Sequence, residues 1–513
     1  MSPNASLAGA VLGRLAELGM REFVVCAGAR NVPLVSSLLA KCEDYGLRVW
    51  HHLDERAAAY FALGLAKKSG EPVAVLTTSG TAVAELLPAA IEAFYSGIPL
   101  VLVTADRPDR YRGSGAPQAI EQNGIFGLYA FTLDISEPGD LARIVEWRGE
   151  MPLQLNVCFE EPRAEDRNAV WAAERSHVPL RDGMVAEDAN LPISAFVEDR
   201  DGLLVLLGEL EESWRKEVER FLVRLGSPVW AEATSGLRES VALADWIIVD
   251  EPVLPKKILR IGGVPSLRLW RDLEEIAAVP VLSICRRPFS GLARISEMVV
   301  TDRFPSISPA TQEGRAANPT LQDEAVFSRF PLSEPSLVRD LSRQIPGGAL
   351  VYLGNSLPIR EWNSFAVVDP PHPRCYASRG ANGIDGQIAT FLGISEGEGE
   401  SWGIFGDLTA LYDLNAPALL EQLAPGKRRL VVINNGGGRI FSRLSSMACL
   451  APEEKRITEN RHERRFEAWA AMWGIQYLPW RAGDPFPSDL SETVVIEAVP
   501  DETETEAFWK WGK

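Results

Sequence analysis

The sequence predicts an α/β protein made of three doubly wound parallel sheets. Short apolar segments rich in Val, Ile and Leu alternate with helical segments over the first 165 residues, and again after residue 336. These segments are continuously apolar, which is typical of parallel strands buried on both faces. A chain of 513 residues is long enough for three domains, each with its own core.

Two stretches of different composition predict linkers between the domains. Residues 160–192 are charged and aperiodic, and residues 305–335 are rich in Pro, Ser, Gln and Asn. The predicted domains are therefore residues 1–165, 190–303 and 336–513. The central one has no phosphate loop and no nucleotide fingerprint, so a structural spacer is the favoured interpretation.

The elements follow from apolar runs and helical periodicity. The first domain begins with an amphipathic helix, which shares none of the features of a signal peptide. Its strands are predicted at 22–26, 47–51, 72–77, 99–104 and 152–158, and its helices at 31–41, 54–68 and 81–95. Central strands are predicted at 203–207, 229–231, 246–249, 281–284 and 298–300, with a helix at 211–225. The third domain has predicted strands at 349–353, 430–433 and 493–498 and helices at 409–422 and 466–473.

Composition excludes several classes of function. The formal net charge of −18 argues against a general nucleic-acid surface and against adhesion to an anionic membrane. No apolar run is long enough for membrane insertion. The six cysteines include no C-x-x-C pair, and several lie in apolar strands, which is typical of a reduced cytoplasmic protein.

A polar loop after a buried strand is the most informative motif. The run Leu430 to Ile433 ends at Asn434-Asn435 and three glycines, and Gly406-Asp407-Leu408 lies upstream. Asp407 and Asn435 are 28 positions apart, enough for one strand-helix-strand passage that places both at the same sheet edge. Each piece alone is an ordinary surface feature. Together they favour a divalent cation bound by side-chain oxygens, with glycine N–H groups facing an anion.

This Gly-Asp…Asn-Asn arrangement resembles the signature of thiamine-diphosphate enzymes. The resemblance implies that Asp407, Asn435 and the Gly437 carbonyl bind the metal that holds the diphosphate. Glu55 follows a predicted strand and opens an alanine-rich helix. A first-turn carboxylate suits helix capping, for Asp54 as well as Glu55. The alternative is that Glu55 hydrogen-bonds the aminopyrimidine of the cofactor and activates it.

Arginines recur at predicted carboxyl edges of the sheets, namely Arg30, Arg107, Arg360 and Arg379. A lone arginine there is usually a solvated charge. Four in an acidic chain predict a substrate with several carboxylates, since guanidinium groups bind carboxylates bidentately. The 77–81 turn adds hydroxyl groups, and Gln118 adds an amide.

The chain resembles the 2-succinyl-5-enolpyruvyl-6-hydroxy-3-cyclohexene-1-carboxylate (SEPHCHC) synthases of menaquinone biosynthesis. The matching stretches are 26–34, 52–69, 73–93, 104–108, 354–360, 378–386, 406–415 and 434–441. The runs Arg-Gly-Ala-x-Gly-Ile-Asp and Gly-Asn-Ser-Leu-x-x-Arg are characteristic of that family. The family pattern has Ser and Asn where this chain has Ala29 and Pro117, and Asn where it has Gly436. Ala29 therefore lacks one hydroxyl contact to substrate.

The resemblance implies a fold of pyrimidine-binding, central and diphosphate-binding domains, with thiamine diphosphate and Mg²⁺ or Mn²⁺ as cofactors. The implied reaction decarboxylates 2-oxoglutarate and adds the succinyl semialdehyde carbanion to isochorismate by a Stetter-like 1,4-addition, releasing CO₂. The implied assembly is a homodimer or dimer of dimers, with Glu55 facing the partner chain. The implied cofactor-binding residues are Glu55, Thr78, Gly80, Gly383, Ile384, Gly406, Asp407, Leu408, Asn435 and Gly437. The implied substrate-binding residues are Arg30, Arg107, Gln118, Ser356, Arg360, Arg379, Ile440 and Phe441.

Three alternatives stay open. One is another thiamine-diphosphate decarboxylase or an acetolactate-synthase-like carboligase, for which fewer arginines would suffice. Another is an inactive homologue that serves as a binding scaffold, which intact Glu55, Asp407 and Asn435 argue against. A nicotinamide dehydrogenase is the least favoured, because the turn at Gly28 lacks the spaced glycines of a dinucleotide site.

Overall fold

The computed structural model describes residues 2–167, 171, 190–248, 252, 254–309, 324–444, 447 and 449–511. Residues 168–170, 172–189 and 310–323, which belong to the two predicted linkers, lie outside this description. The linker ends that are described include helical residues at 190–192 and 324–329. The structure contains three α/β sheets whose strand pairs are all parallel, as the sequence predicts.

The strands, in chain order, are β1 Glu22–Val25, β2 Arg48–His51, β3 Val73–Thr77, β4 Leu100–Asp106, β5 Phe131–Ile135, β6 Leu153–Cys158, β7 Leu203–Leu207, β8 Val229–Ala231, β9 Lys257–Ile261, β10 Val281–Cys285, β11 Glu297–Val300, β12 Leu350–Leu353, β13 Cys375–Tyr376, β14 Glu400–Gly406, β15 Lys427–Ile433, β16 Gln476–Trp480 and β17 Thr493–Ala498. The first sheet has the order β2-β1-β3-β4-β6-β5. The second has the order β11-β10-β9-β7-β8, and the third β13-β12-β14-β15-β17-β16.

The α-helices are α1 Pro3–Glu17, α2 Val32–Leu39, α3 Cys42–Tyr45, α4 Glu55–Ser69, α5 Thr81–Ala84, α6 Leu87–Ser96, α7 Asn190–Glu198, α8 Glu212–Leu225, α9 Arg268–Asp272, α10 Glu324–Arg329, α11 Glu334–Gln344, α12 Leu357–Phe365, α13 Gln387–Ile394, α14 Asp407–Tyr412, α15 Pro452–Thr458, α16 Glu467–Met472 and α17 Glu502–Lys510. Short 3-10 helices include Ala416–Gln422 and Phe441–Arg443. Among the described residues, no helix combines the length and apolarity that a bilayer span requires.

The chain folds into two compact units. The first comprises Met1–Asp182, Gly380–Gly397 and Tyr412–Ala424, and it contains the first sheet. The second comprises Gly183–Arg379, Glu398–Leu411 and Pro425–Lys513, and it contains the other two sheets. The first unit therefore includes two short pieces of the predicted third domain. The strands of each sheet fall within one predicted domain range, and the domain boundaries themselves stay a prediction.

Helices α4 and α13 of the first unit pack with their backbones in close approach. A Cβ added at Gly64 would lie 2.1 Å from the Thr390 carbonyl oxygen, and one at Gly393 would lie 2.3 Å from the Phe61 carbonyl oxygen. Backbone oxygens in packed helices cannot move aside as flexible side chains do. Glycine at these two positions is therefore what allows the contact.

We expect Gly64→Val to lower the free energy of unfolding of the first unit by about 3 kcal/mol, the upper part of the usual range for overpacking. Urea denaturation followed by circular dichroism measures it. Gly139→Val in the same unit is the control, because the nearest atom to a Cβ at Gly139 is Glu137 Oε1 at 3.8 Å, an ordinary contact distance. Equal midpoints for the two variants would contradict the close packing of α4 and α13.

The predicted helix over 409–422 is wrong. It splits into α14 and the 3-10 helix Ala416–Gln422, because residues 413–415 make contacts that a continuous helix would not allow. The buried Asp413 carboxylate accepts N–H bonds from Gly386 and Ile388 at 2.8 Å each. It thereby satisfies the N-terminal donors of α13.

The 246–249 strand prediction is also not met where the chain is described. Ile247 forms only an isolated parallel bridge to Val229, and residue 249 lies outside the described part. The structure adds strands that the apolar pattern did not indicate, among them β5, β9 and β16. The strand β16 is only partly buried, so it lacks a continuous apolar run.

Asp413 gives a pH-dependent prediction. Burial raises its pKa from 3.8 to about 6, although hydrogen bonds from Ile388 and Gly386 and the nearby Arg56 oppose the shift. Between these two pKa values the folded state holds a proton that the unfolded state has lost, so this group's contribution to stability falls as pH rises through that window. We therefore expect the free energy of unfolding of Asp413→Asn, relative to that of the parent protein, to be about 1 kcal/mol higher at pH 7.5 than at pH 5. Denaturant melts at the two pH values measure this difference, and a pH-independent difference would contradict it.

Candidate active site

The metal loop is defined here as residues 434–438, and it follows β15 in the second unit. Strand β14 pairs with β15 so that Gly406 lies opposite Ile433. Asp407 and Asn434, the next residues after this pair, therefore lie at the same edge of the sheet. The prediction that Asp407 and Asn435 follow neighbouring parallel strands is confirmed.

The Asp407 carboxylate organises this loop. Its Oδ2 accepts N–H bonds from Gly436 at 2.8 Å and Gly437 at 2.9 Å, and its Oδ1 accepts the N–H of Leu408 at 2.6 Å. The side chain is buried. Burial raises the pKa of Asp407, while these N–H bonds and the nearby His462 lower it. A bound cation would offset the cost of keeping this carboxylate ionised.

The two asparagines have different surroundings. Asn434 is buried, and its Nδ2 donates to the Arg464 carbonyl at 2.8 Å and to Glu497 at 2.6 Å. Asn435 Nδ2 donates to both oxygens of Glu334, at 3.0 and 3.2 Å. Asn435 Oδ1 is buried and has no hydrogen-bond partner among the described residues. Asn434 is thus structural, and Asn435 has an oxygen available for a ligand.

The residues present fit a divalent cation bound with a diphosphate. They offer a carboxylate, an unpaired amide oxygen and a glycine-rich backbone, the oxygen donors that Mg²⁺ prefers. Gly437 has φ of +134°, and a Cβ there would lie 2.5 Å from the Glu459 carbonyl oxygen. Only glycine suits this backbone position. Asp407, Asn435 and Gly437 remain the predicted metal ligands, and Gly406 and Leu408 flank them.

Sequence reasoning missed two residues that contact this loop. His462 donates its backbone N–H to the Gly436 carbonyl at 3.2 Å, and its Nε2 lies 3.5 Å from Asp407 Oδ2. Glu334 lies 101 positions before Asn435 and bonds it as described above. Both come from distant parts of the chain and belong to no motif, so no local signal could have indicated them.

Arg360 and Arg379 lie close together in the second unit. Burial and then the neighbouring Arg379 lower the pKa of Arg360, and Glu232 opposes this. Arg360 donates to the Ser356 carbonyl at 2.6 Å, and Arg379 donates to Asn355 Oδ1 at 2.9 Å. Two neighbouring cations bonded to neutral oxygens suit an anionic ligand.

Ser356 has an unusual backbone, and the central segment adds charge near Arg360. Ser356 adopts φ of +73°, a strained value for a residue other than glycine. Such strain is frequent at ligand sites. Glu232 and Arg271 both act electrostatically on Arg360. Both residues belong to the central segment, whose role as a structural spacer stays a prediction.

Phe441 packs against the metal loop. A Cβ at Gly438 would lie 3.2 Å from the Phe441 ring. Ile440 and Phe441 are both partly exposed and stay predicted substrate contacts.

Glu55 is the first residue of α4 in the first unit, and Asp54 is the N-cap. Asp54 accepts the Ala57 N–H at 3.0 Å and the Asn415 amide at 2.6 Å. Burial acts to raise the pKa of Asp54, but these bonds outweigh it and lower the pKa. The capping role thus belongs to Asp54. Glu55 is left partly exposed at the helix N-terminus, consistent with a chemical role.

Four predicted residues lie near one another at the edge of the first sheet. Gln118 has φ of +56°, and its Cβ lies 3.2 Å from a Cβ added at Gly80. Arg107 Nε donates to the Pro117 carbonyl at 3.1 Å. Thr78 Oγ1 is buried and has no hydrogen-bond partner among the described residues. These contacts bring together Gly80, Arg107 and Gln118, and Thr78 lies two residues before Gly80 in the same turn.

Arg30 has protein partners of its own. It is buried, and it donates to the Phe159 carbonyl at 3.2 Å and to Glu161 at 2.8 Å. A substrate carboxylate would have to compete with the exposed Glu161 side chain.

The loop that carries Gly383 and Ile384 is held by Glu92 of α6. The buried Glu92 carboxylate accepts the N–H of Gly380 at 2.8 Å and of Ala381 at 2.7 Å. Tyr60 donates to Asp385 at 3.0 Å at the other end of the loop. Ile384 is partly exposed between these two attachments.

Comparison with known proteins identifies the fold and the family of the chain. The family model "Thiamine pyrophosphate enzyme, N-terminal TPP binding domain" matches residues 5–125. The structure of benzoylformate decarboxylase from Polynucleobacter necessarius aligns with a TM-score of 0.72 and 14% identity, covering 96% of this chain and 98% of that one. At that identity the likeness shows the fold alone.

Two curated relatives are closer in sequence. A 2-succinyl-5-enolpyruvyl-6-hydroxy-3-cyclohexene-1-carboxylate synthase of Akkermansia muciniphila is 41% identical over 528 residues, covering 99% of this chain and 98% of the relative. The protein of the same name from Bdellovibrio bacteriovorus is 41% identical over 541 residues, with the same coverage. The chain belongs to the SEPHCHC synthase family of thiamine-diphosphate enzymes, whose cofactor is bound with a divalent metal.

Proposed function

We propose that this enzyme decarboxylates 2-oxoglutarate and adds the resulting four-carbon unit to isochorismate by 1,4-addition, releasing CO₂, as a step of menaquinone biosynthesis. The observation that carries the proposal is 41% identity to proteins named SEPHCHC synthase over 99% of the chain. The paired Arg360 and Arg379 support it independently, because both substrates are dicarboxylates and need cationic partners.

The roles proposed for the residues follow from their contacts. Thiamine diphosphate supplies the carbon acid that makes decarboxylation of a 2-oxo acid possible. Asp407, Asn435 and Gly437 hold the divalent metal, Mg²⁺ or Mn²⁺, and Thr78, Gly80, Gly383 and Ile384 contact the cofactor. Glu55 would bind the aminopyrimidine by a hydrogen bond from its carboxyl group and so activate the cofactor. The substrate carboxylates lie against Arg30, Arg107, Arg360 and Arg379, with Gln118, Ser356, Ile440 and Phe441 completing the pocket.

A substrate assay tests the reaction. Purified protein with thiamine diphosphate and Mg²⁺ is given 2-oxoglutarate and isochorismate, and the consumption of both is followed with CO₂ release. Pyruvate in place of 2-oxoglutarate is the control. Equal consumption of 2-oxoglutarate and isochorismate supports the proposal, whereas turnover of pyruvate alone would indicate the acetolactate-synthase-like alternative. No turnover with any pair, despite cofactor binding, would favour a binding scaffold.

We further propose a homodimer or dimer of dimers whose active site combines Glu55 of one chain with the metal loop of its partner. Apolar side chains lie exposed near the start of α4, with Leu53 at 72%, Tyr412 at 51% and Leu414 at 42%. Arg56 donates to the Tyr412 carbonyl at 2.6 Å, so this surface adjoins Glu55. Exposed apolar groups beside a chemical site suit burial against a second chain.

Subunit mixing tests this arrangement. Glu55→Gln and Asp407→Asn chains, each inactive alone, are unfolded together and refolded. If the site is shared between chains, half of the dimers are mixed and each has one intact site, so about a quarter of the parent activity returns. No recovery from well-folded mixed dimers would place both residues of a site on one chain.

A cytoplasmic location is proposed from the thiols. All six cysteines lie in the described part of the chain, where none of them forms a disulfide, and four of them are buried. Burial raises the pKa of Cys158 to about 11, so this thiol is unreactive. Free buried thiols are typical of reducing compartments.

A further inference from the structure

A buried cluster of two carboxylates and one guanidinium lies behind the metal loop. Glu334 and Glu361 are each 1% exposed. Arg443 Nη2 lies 3.6 Å from Glu334 Oε2 and 3.2 Å from Glu361 Oε1. Burying carboxylates costs desolvation free energy, so a buried cluster of this kind is expected to have a function.

The contact between Glu334 and Asn435 defines which way the amide points. An ionised carboxylate accepts hydrogen bonds and cannot donate them. The two Glu334 oxygens, at 3.0 and 3.2 Å, therefore face the amide nitrogen of Asn435. Its Oδ1 must point the other way, where it is buried with no hydrogen-bond partner among the described residues. A flipped amide would place Oδ1 against two carboxylate oxygens.

We propose that Glu334 is a positioning residue for the metal: it locks the amide of Asn435 so that Oδ1 is presented to the divalent cation. The inference rests on the proposed metal role of Asn435 and deepens it. Groups that orient a metal ligand from behind typically change metal affinity 10–100-fold when they are removed.

Other contacts keep Glu334 itself in place. It is the first residue of α11, and its backbone N–H donates to Thr505 Oγ1 at 3.0 Å. Ser333 caps the same helix by accepting the Ser336 N–H at 3.3 Å. The Arg443 guanidinium carbon lies 4.2 Å from the centroid of the Trp509 ring, and this contact holds the positive charge that faces Glu334. The carboxylate is therefore rigid enough to orient its neighbour.

The first experiment measures metal binding without substrates. Mn²⁺ is titrated into the full-length apoprotein with thiamine diphosphate present, and free Mn²⁺ is followed by electron paramagnetic resonance. We expect Glu334→Gln to weaken Mn²⁺ binding by about 10-fold or more, because one acceptor and the ion pair with Arg443 are lost. Activity should return towards the parent value at saturating Mn²⁺, since the reacting groups are intact.

Glu361→Gln is the matched control. Glu361 is equally buried and shares Arg443, but it neighbours Glu334 rather than Asn435. The Glu361→Gln substitution should therefore change Mn²⁺ affinity by less than about threefold. Equal weakening by both substitutions would indicate general loss of packing and overturn the positioning role. So would unchanged Mn²⁺ affinity in a folded Glu334→Gln protein.

A rescue experiment provides a second test, which starts from Asn435→Asp rather than from the parent protein. Asn435→Asp places a carboxylate against Glu334 and should abolish Mn²⁺ binding, although a carboxylate is ordinarily the better ligand for a hard cation. Adding Glu334→Gln supplies an amide donor to the new carboxylate and should restore binding at least tenfold over Asn435→Asp alone. A double variant no better than Asn435→Asp would refute the inference. Failure of the parent protein itself to bind Mn²⁺ and cofactor would instead refute the proposed function.

Discussion

Replacing Glu55 with glutamine is expected to lower kcat by about 10²–10⁴-fold, the usual contribution of a positioned acid–base group. The amide has nearly the same shape and cannot exchange the proton. Fold and cofactor binding should survive, because the cap of α4 is Asp54, whose carboxylate accepts the Ala57 N–H. Loss of the Glu55 charge at the helix N-terminus costs only about 0.3–1 kcal/mol. Steady-state kinetics and deuterium exchange of the cofactor's acidic C–H, followed by NMR, measure the effect.

Asp54→Asn separates the two adjacent carboxylates. Asparagine keeps one oxygen for the cap but loses the second acceptor, which takes the bond from Asn415, so the substitution should lower thermal stability while leaving kcat much closer to the parent value than Glu55→Gln does. The opposite order of effects would assign the chemistry to Asp54. Unchanged activity in Glu55→Gln would remove Glu55 from the mechanism altogether.

The fold was predictable where burial is complete on both faces. Strands such as β3, β7 and β12 are buried throughout and consist almost entirely of apolar residues, and all three were predicted. The helix predicted over 409–422 failed because the propensity of its residues was overridden by tertiary contacts of Asp413 and Asn415, made with residues 25 or more positions away. No local pattern contains such information.

The residues of the candidate site also fall into two groups, those that a local sequence pattern predicts and those that only the structure shows. Asp407 and Asn435 were predictable because glycines and polar residues at two strand ends form a local pattern. The division of labour between Asn434 and Asn435 was implied only by family resemblance, and the structure supplies its physical reason in the partners Glu497 and Glu334. His462, Glu92 and Glu334 could not be predicted, since their contacts with the site span long sequence separations and form no local pattern.

Asp407→Asn is expected to abolish tight metal and cofactor binding and to lower activity at least about 100-fold, beyond the effect of residues that only support a metal ligand. The asparagine oxygen can still accept the N–H groups of Gly436 and Gly437, so the loop should keep its shape. What disappears is the negative charge that the cation needs. Calorimetric titration of Mg²⁺ with thiamine diphosphate measures the loss. Asp340→Asn is the control, because that carboxylate accepts the Gly483 N–H and not those of the metal loop.

The same substitution should act on stability in opposite directions with and without ligands. Burial raises the pKa of Asp407, which means that its ionised form destabilises the folded apoprotein at neutral pH. The Asp407→Asn apoprotein should therefore melt at least as high as the parent apoprotein. Adding Mg²⁺ and thiamine diphosphate should raise the melting temperature of the parent protein but not that of Asp407→Asn, because only the parent protein binds them tightly. The order of the two melting temperatures thus reverses on adding ligands, and an unreversed order would show that Asp407 is not a metal ligand.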